Sequence, residues 1–146
     1  MQDASGYVGH PDKEFAPATP EELSSILAEA NASSIPVTIA GSATGVTGGC
    51  CPQGGWLVSM RHFGQLVIER GRAVAGAAIT LRDLNAAAAR TGQFFAPDPT
   101  EWTASVGGCI SAPNTPWSTR KAMIQPTLGE SPIATEAKVN PAVPAR

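Results

Sequence analysis

The 146-residue sequence predicts an α/β fold, and three observations support this prediction. A marked helix start is followed by apolar residues at helical spacing, and a β-branched run comes next. A second buried strand lies beyond a glycine-rich loop. Strand, helix and strand in alternation favour layers of helices on a sheet. We therefore expect a small, mainly parallel sheet flanked by two helices, with a hairpin after it.

The first predicted helix begins at Thr19-Pro-Glu-Glu. Thr19 can act as the N-cap, Pro20 suits the first turn, and Glu22 stands where a capping box places its acid. One apolar face follows at helical spacing, formed by Leu23, Ile26, Leu27 and Ala30. The helix should end near Asn31, and residues 35–40 then predict a strand.

The segment after the glycine-rich loop predicts a strand, a hairpin and a helix. Residues 54–60 read as a buried strand, and residues 66–69 and 72–78 form a predicted hairpin that turns at Arg70-Gly71. Thr80 caps the next helix, and Gly92 is its expected C-terminal stop. The apolar stripe of this helix is Leu81, Leu84, Ala87 and Ala88.

Both ends of the chain lack a regular pattern. Residues 1–17 are polar and aperiodic, so we interpret them as a lead-in that is either ordered or loose. Six prolines follow residue 112, and proline at this density breaks helices and removes ladder donors. We therefore expect one domain over residues 1–112 and an irregular, disordered or poorly packed tail over residues 113–146. An extended arm lying on another chain is the alternative for this tail.

Composition excludes several classes of function. Ten basic and twelve acidic residues give a net charge of −2, which argues against a nucleic-acid surface. No apolar run reaches membrane-spanning length, so we expect no transmembrane segment. The three cysteines form neither a disulfide framework nor a zinc site, and His10 and His62 have no spaced partner; we expect no bound metal. A reduced, cytoplasmic setting fits this cysteine usage.

The most informative segment is Gly41-Ser-Ala-Thr-Gly-Val-Thr-Gly-Gly, which follows the strand at residues 35–40 directly. Glycines let successive peptide N–H groups form a nest for an anion such as a pyrophosphate, and three hydroxyl side chains add donors. No lysine follows, and no G-x-G-x-x-G occurs, so neither phosphate-binding pattern is met. A purely structural turn remains the alternative.

A second pair of turn-forming segments stands later in the chain. Pro97-Asp-Pro-Thr is stiffened by two prolines, and the small-residue turn Ala104-Ser-Val-Gly-Gly follows it. Each of them can also be an ordinary turn. Two glycine-rich turns separated by strands and one helix, with a Pro-Asp-Pro-Thr segment before the second, are more specific than either turn alone.

This arrangement resembles the N-terminal half of the PCMH-type FAD-binding domain, found in FAD-linked oxidases related to vanillyl-alcohol oxidase and p-cresol methylhydroxylase. The glycolate oxidase and D-lactate dehydrogenase subunits resemble it most. The resemblance covers roughly residues 3–112. Its matching pieces are Tyr7-Val-Gly-His, Pro20-Glu-Glu-Leu, Pro36-Val, Gly41-Ser-Ala-Thr-Gly-Val-Thr-Gly-Gly, Trp56-Leu-Val-Ser, Pro97-Asp-Pro-Thr and Ala104-Ser-Val-Gly-Gly.

The resemblance implies a flavin cofactor, FAD, held non-covalently. Its pyrophosphate would lie in the first loop, and the second segment would lie along the ribityl and isoalloxazine side. The cofactor-binding positions implied in the first loop are Gly41, Ser42, Ala43, Thr44, Gly45, Thr47, Gly48 and Gly49. Those implied in the second segment are Pro99, Thr100, Ser105, Gly107 and Gly108.

The implied activity of the full-length parent is oxidation of a small 2-hydroxy acid, D-lactate or glycolate-like, with hydride transfer to the flavin. No catalytic residue is assigned within this chain. After Gly108 the family continues with an asparagine, whereas this chain reads Cys109-Ile-Ser-Ala-Pro and becomes proline-rich. We therefore expect an incomplete second subdomain, from a truncated or frameshifted gene, with little turnover and weak FAD affinity. A non-catalytic phosphate- or nucleotide-binding module and a degraded remnant are the alternatives.

Overall fold

A computed structural model describes residues 1–95, 101–111, 134–137 and 140–141. The chain divides into two units, Met1–Phe63 and Gly64–Arg146. Among the described residues, no helix combines the length and the apolar character that crossing a membrane requires.

The first unit is built on a parallel sheet of three strands, in the order β1 (Lys13–Phe15), β3 (Trp56–Ser59) and β2 (Val37–Ala40). Val37 of β2 pairs with Trp56 of β3, and Ala40 pairs with Ser59. Strand β1 runs parallel to β3 on its other side. The predicted parallel sheet is thus confirmed in this unit. Its elements are β1 (Lys13–Phe15), α1 (Pro20–Ala32), β2 (Val37–Ala40) and β3 (Trp56–Ser59).

The central strand β3 carries the core of this unit. Trp56, Leu57 and Val58 are all buried, as expected for a parallel strand with neighbours on both sides. The Phe15 ring packs on Trp56 with 4.8 Å between ring centroids. Strand β1 was not predicted, because three residues of largely exposed sequence give no pattern to read.

Helix α1 begins as the sequence predicts. Thr19 is the N-cap, and its Oγ1 accepts the N–H of Glu22 at 3.2 Å. The Glu22 carboxylate accepts the N–H of Ala18 at 2.7 Å, one residue before the position that a standard capping box uses. The helix ends at Ala32, one residue beyond the predicted end.

The second unit is organised around the predicted hairpin. Leu66 pairs with Ala75 and Glu69 with Arg72 in an antiparallel register. The second hairpin strand ends at Gly76, two residues before the predicted end. The elements of this unit are β4 (Leu66–Glu69), β5 (Arg72–Gly76), α2 (Leu81–Ala89), β6 (Gln93–Phe94), α3 (Val106–Ser111), β7 (Ala134–Ala137) and β8 (Asn140–Pro141).

Helix α2 supplies the apolar side of the second unit's core. Thr80 caps it by accepting the N–H of Asp83 at 3.1 Å, and Gly92 follows it with a φ of 69°. The buried cluster contains Ala73, Ala75, Leu81, Leu84, Ala88, Phe95 and Val106. The predicted cap and the inward-facing stripe are therefore confirmed.

The described strands form three sheets. Besides the parallel sheet of the first unit there are two antiparallel sheets in the second, β4-β5-β7, which contains the predicted hairpin, and β6-β8. Strands β7 and β8 fall within the tail predicted to be irregular. They pair with β5 and β6 through the backbone, which requires no apolar period in the sequence. The rest of the tail prediction lies outside the described residues.

Candidate functional site

The glycine-rich loop begins where the parallel strand β2 ends. Ala40 is the last residue of β2, and the loop runs from Gly41 to Gly49 before the chain returns to β3. Ligands of open α/β sheets bind beyond the carboxyl ends of the strands, which is where this loop lies. Most of the loop is exposed, and Val46 has 69% of its surface open to solvent.

The loop presents a run of backbone donors without partners. The N–H groups from Ser42 to Thr47 donate to no acceptor in the part of the chain that the structure describes. The hydroxyls of Ser42, Thr44 and Thr47 likewise make no hydrogen bond to any described residue. An anion with several oxygens is the ligand that such a donor set satisfies.

The backbone conformation of the loop also fits an anion. Ala43 has a φ of 56°, in the left-handed region that residues other than glycine rarely adopt, whereas Ser42 and Thr44 are outside it. When neighbouring residues alternate between the right-handed and left-handed backbone regions, their successive N–H groups converge on one anion. The residues present therefore fit a diphosphate, the group that joins the two halves of a dinucleotide.

The far end of the loop is fastened to the N-terminal segment. The Gly48 N–H donates to Asp3 Oδ2 at 2.7 Å, and the Ala4 N–H donates to the Gly45 carbonyl at 3.0 Å. Gly48 has a φ of 74°, and a Cβ placed on it would lie 3.1 Å from the Tyr7 ring. The amide of Gly48 is thus engaged by Asp3, and Gly48 contributes the shape of the loop rather than a free donor.

Asp3 is buried and fully engaged, with 6% of its surface exposed. The hydrogen bond from the Ser5 hydroxyl, at 2.6 Å, is the main reason that the pKa of Asp3 lies below its ordinary value. Burial acts in the opposite direction, and the amides of Gly48 and Ser5 lower the pKa further. This carboxylate remains charged at neutral pH.

Two neighbouring cysteines, Cys50 and Cys51, follow the loop and precede β3. The sulfur atoms of Cys50 and Cys51 lie 3.9 Å apart, and Cys51 is buried, with its thiol directed to the Tyr7 carbonyl at 3.4 Å. Burial, and secondarily the neighbouring Cys51 thiol, raise the pKa of Cys50. Burial also raises the pKa of Cys109 in the second unit. Both of these cysteines are therefore protonated thiols at neutral pH.

The second predicted segment forms a helix start and not the expected small-residue turn. Residues from Val106 onward form α3, and the Cys109 N–H donates to the Ser105 carbonyl at 2.9 Å. Ser105 Oγ accepts the Gly108 N–H at 3.2 Å, as an N-cap side chain does. A glycine pair disfavours a helix by propensity, which is why the sequence predicted a turn here.

The packing of α3 explains one of its glycines. A Cβ on Gly107 would lie 2.9 Å from the Ala77 Cβ and 3.0 Å from the Ala77 carbonyl oxygen. The Gly107 N–H also donates to that carbonyl at 3.1 Å. Gly107 is therefore needed for close packing against the segment between β5 and α2, whether or not a ligand approaches it.

The predicted site residues fall into two local groups. The eight positions of the first loop lie within residues 41–49 of the first unit, and Ser105, Gly107 and Gly108 lie at the start of α3 in the second. Ser105 is buried, with 2% of its surface exposed, and Gly108 is exposed. Pro99 and Thr100 lie outside the described residues.

The sequence did not predict the residues that hold the loop in place. Asp3 and Tyr7 both contact Gly48 from a segment whose sequence is polar and aperiodic. One local signal was available: Asp3 accepts both the N–H and the hydroxyl of Ser5, which is the side-chain turn that an Asp-x-Ser sequence favours. The partner of Asp3 on the loop could not be inferred from that signal.

The fold and the loop together define a domain suited to binding a dinucleotide. Comparison with known proteins identifies the family to which this domain belongs. A family model described as the FAD binding domain matches residues 11–126. Because the match covers most of the 146 residues, the protein belongs to this family, and FAD is its cofactor. The resemblance stated from the sequence is confirmed. The match also continues past residue 112, where the predicted domain ends.

Two curated relatives carry names of the expected kind. A D-lactate dehydrogenase of Archaeoglobus fulgidus is 42% identical over 98 residues, which are 65% of this chain and 22% of the relative. The glycolate oxidase subunit GlcD of Bacillus subtilis is 31% identical over 110 residues, which are 72% of this chain and 23% of the relative. The chain thus spans less than a quarter of the length of either relative.

A solved structure confirms the fold class. The 6-hydroxy-D-nicotine oxidase of Arthrobacter nicotinovorans superposes with a TM-score of 0.66 at 14% identity, over 75% of this chain and 24% of that one. At this identity the likeness shows the fold alone. The mixed α/β architecture predicted from the sequence is that of the PCMH-type FAD-binding domain, N-terminal part.

Proposed function

We propose that this chain is the pyrophosphate-binding part of a flavin-dependent oxidoreductase that oxidises small 2-hydroxy acids such as D-lactate or glycolate. The observation that carries the proposal is the run of N–H groups from Ser42 to Thr47, which donate to none of the described residues. The D-lactate dehydrogenase and glycolate oxidase names of the relatives support the substrate class.

The role of the first loop is to bind and orient. Its amides donate to the diphosphate oxygens, and the hydroxyls of Ser42, Thr44 and Thr47 add further donors. These contacts are charge-assisted, which makes them shorter and stronger than hydrogen bonds between neutral groups. When bound, FAD supplies the acceptor for the hydride that leaves the alcohol carbon. No residue of this chain is given a catalytic role.

The second segment takes the flavin side of the cofactor in this proposal. Pro99, Thr100, Ser105, Gly107 and Gly108 are the positions involved. The exposed Gly108 backbone is open to a ligand, whereas the buried Ser105 hydroxyl already receives the Gly108 N–H. Ser105 therefore contributes by fixing the helix start that the ligand meets.

FAD is bound non-covalently, with low affinity and little or no turnover by this chain alone. The 2-hydroxy acid is a partner of the full-length parent, and nucleic acid is not a partner. A cytoplasmic location stays a prediction from the cysteine usage.

A loop variant tests the proposal without disturbing the fold. A Cβ on Gly45 meets no atom within 4 Å, and Gly45 has no positive φ, so Gly45→Asp is accommodated. Its carboxylate would repel a diphosphate. Gly64 is equally open and lies outside the loop, so Gly64→Asp is the matched control.

Flavin fluorescence on titration with FAD, and competition by ADP, give the result. We expect Gly45→Asp to weaken FAD binding at least about tenfold, because the repulsion of its carboxylate would offset about one charge-assisted contact, and Gly64→Asp to bind as the wild type does. Equal weakening by both variants, or no weakening, would contradict the proposal. ADP binding as tightly as FAD would favour a nucleotide-binding module instead. With D-lactate or glycolate and a redox dye, the isolated chain should show little or no turnover.

A further inference from the structure

The N-terminal segment contacts the far end of the glycine-rich loop. Asp3 Oδ2 accepts the Gly48 N–H at 2.7 Å, and Asp3 Oδ1 accepts the N–H and hydroxyl of Ser5 at 3.0 and 2.6 Å. One buried carboxylate therefore ties a local turn to a loop that lies 45 residues away in sequence. Hydrogen bonds to a charged acceptor are the stronger kind.

Other contacts of the same segment converge on the same end of the loop. The Ala4 N–H donates to the Gly45 carbonyl at 3.0 Å, and the Tyr7 ring lies against Gly48. The Cys51 thiol donates to the Tyr7 carbonyl at 3.4 Å. The segment thus fixes Gly45 through a carbonyl and Gly48 through an amide, and it leaves the donors from Ser42 to Thr47 free.

We propose that Asp3 is a positioning residue: it holds Gly48 so that the free amides of the loop stand preordered for the diphosphate of FAD. This inference rests on the proposed function. A loop that is ordered before binding does not lose that conformational freedom when the ligand arrives, and affinity rises accordingly. The family match begins at residue 11, so Asp3 lies outside it, whereas Gly48 lies within it.

Asp3 acts through the loop and not by touching the ligand. Only 6% of its surface is exposed, and both carboxylate oxygens already accept hydrogen bonds. Its negative charge would also repel a phosphate. The benefit must therefore come from the order that it imposes on Gly48, which outweighs the unfavourable charge.

The chain offers a matched control for Asp3. Asp12 Oδ2 accepts the Gly55 N–H at 2.7 Å, the same contact across a similar stretch of sequence, at the start of β3 instead of the glycine-rich loop. Asp3→Ala removes the brace, and Asp3→Asn keeps one oxygen that can accept the Gly48 N–H. Asp12→Ala removes an equivalent bond elsewhere in the same unit.

Two measurements on the 146-residue chain give independent readouts: the FAD dissociation constant, and hydrogen exchange of the Gly48 amide without FAD. We expect Asp3→Ala to weaken FAD binding about tenfold, from the loss of one bond to a charged group, and to accelerate Gly48 exchange. Asp3→Asn should recover part of both effects. Asp12→Ala should leave FAD binding and Gly48 exchange unchanged.

Unchanged FAD affinity in Asp3→Ala, equal weakening by Asp12→Ala, or no recovery in Asp3→Asn would overturn the inference. Should Asp3→Ala fail to fold, the Asp3→Asn variant decides by the same two readouts. If the wild-type chain binds no FAD, the proposed function fails. Hydrogen exchange of Gly48 then still tests whether Asp3 orders the loop. Faster exchange in Asp3→Asn than in the wild type supports that role, and equal exchange rejects it.

Discussion

Gly48 shows how far a single residue of the site can be predicted from sequence. The sequence placed it in a glycine-rich loop after a strand, where glycine permits the positive φ of 74° that it adopts. The engagement of its amide by Asp3 was beyond sequence reasoning, because the two residues are 45 positions apart and no local pattern links them. Local chemistry predicted the loop, and a long-range contact determined which of its donors remain free.

The stability contributed by the hydrogen bond between Asp3 and Gly48 should depend on pH. The folded state lowers the pKa of Asp3, so its contribution to stability is present above the ordinary value of 3.8 and is lost as the pH falls through the lower folded pKa. Asp3→Asn is neutral at every pH and resembles the protonated wild type. The wild type should therefore be more stable than Asp3→Asn at pH 7, and the difference should shrink at low pH.

Urea unfolding of the two proteins at pH 7 and at about pH 3 measures this difference. Cys50, directly after the loop, is influenced by the Asp3 charge, and its raised pKa keeps it neutral over this range. If the difference in unfolding free energy stays constant between the two pH values, the charge of Asp3 does not contribute to the stabilising effect of this hydrogen bond.

At the scale of elements, prediction succeeded where a cap or a period marks the boundary. Thr19 and Thr80 both predicted the helices that they cap, and the hairpin turned at the expected residues. Strand β1 was too short to show alternation. Helix α3 was missed because its glycines contradict helix propensity, and the close packing on Ala77 that requires Gly107 is visible only in three dimensions.

Gly107→Ala tests the packing of α3. Alanine favours a helix by about 1 kcal/mol relative to glycine, yet its Cβ would lie 2.9 Å from the Ala77 Cβ and 3.0 Å from a backbone oxygen. Overpacking of this kind costs about 1–3 kcal/mol, so we expect a net loss of stability in urea unfolding. Gly64→Ala, with open space around the added Cβ, is the control. A variant as stable as the control would mean that Gly107 is not required for packing.

At the scale of the whole molecule, the order of motifs was more informative than any one motif. Two glycine-rich turns separated by strands and one helix, with Pro97-Asp-Pro-Thr before the second, carried the resemblance to the FAD binding domain that the family match confirms. The predicted domain end at residue 112 was drawn from a change in composition, whereas the family match reaches residue 126. The division at residue 112 therefore stays a prediction.

The central claim is that the amides of the first loop bind the diphosphate of FAD. An NMR titration of the ¹⁵N-labelled chain with FAD tests it most directly, because each amide reports its own environment. We predict that the amides from Ser42 to Thr47 shift strongly with FAD, and that ADP, which carries the same diphosphate group, shifts them as well. FAD-induced shifts confined to residues outside this loop, or none at saturating FAD, would contradict it.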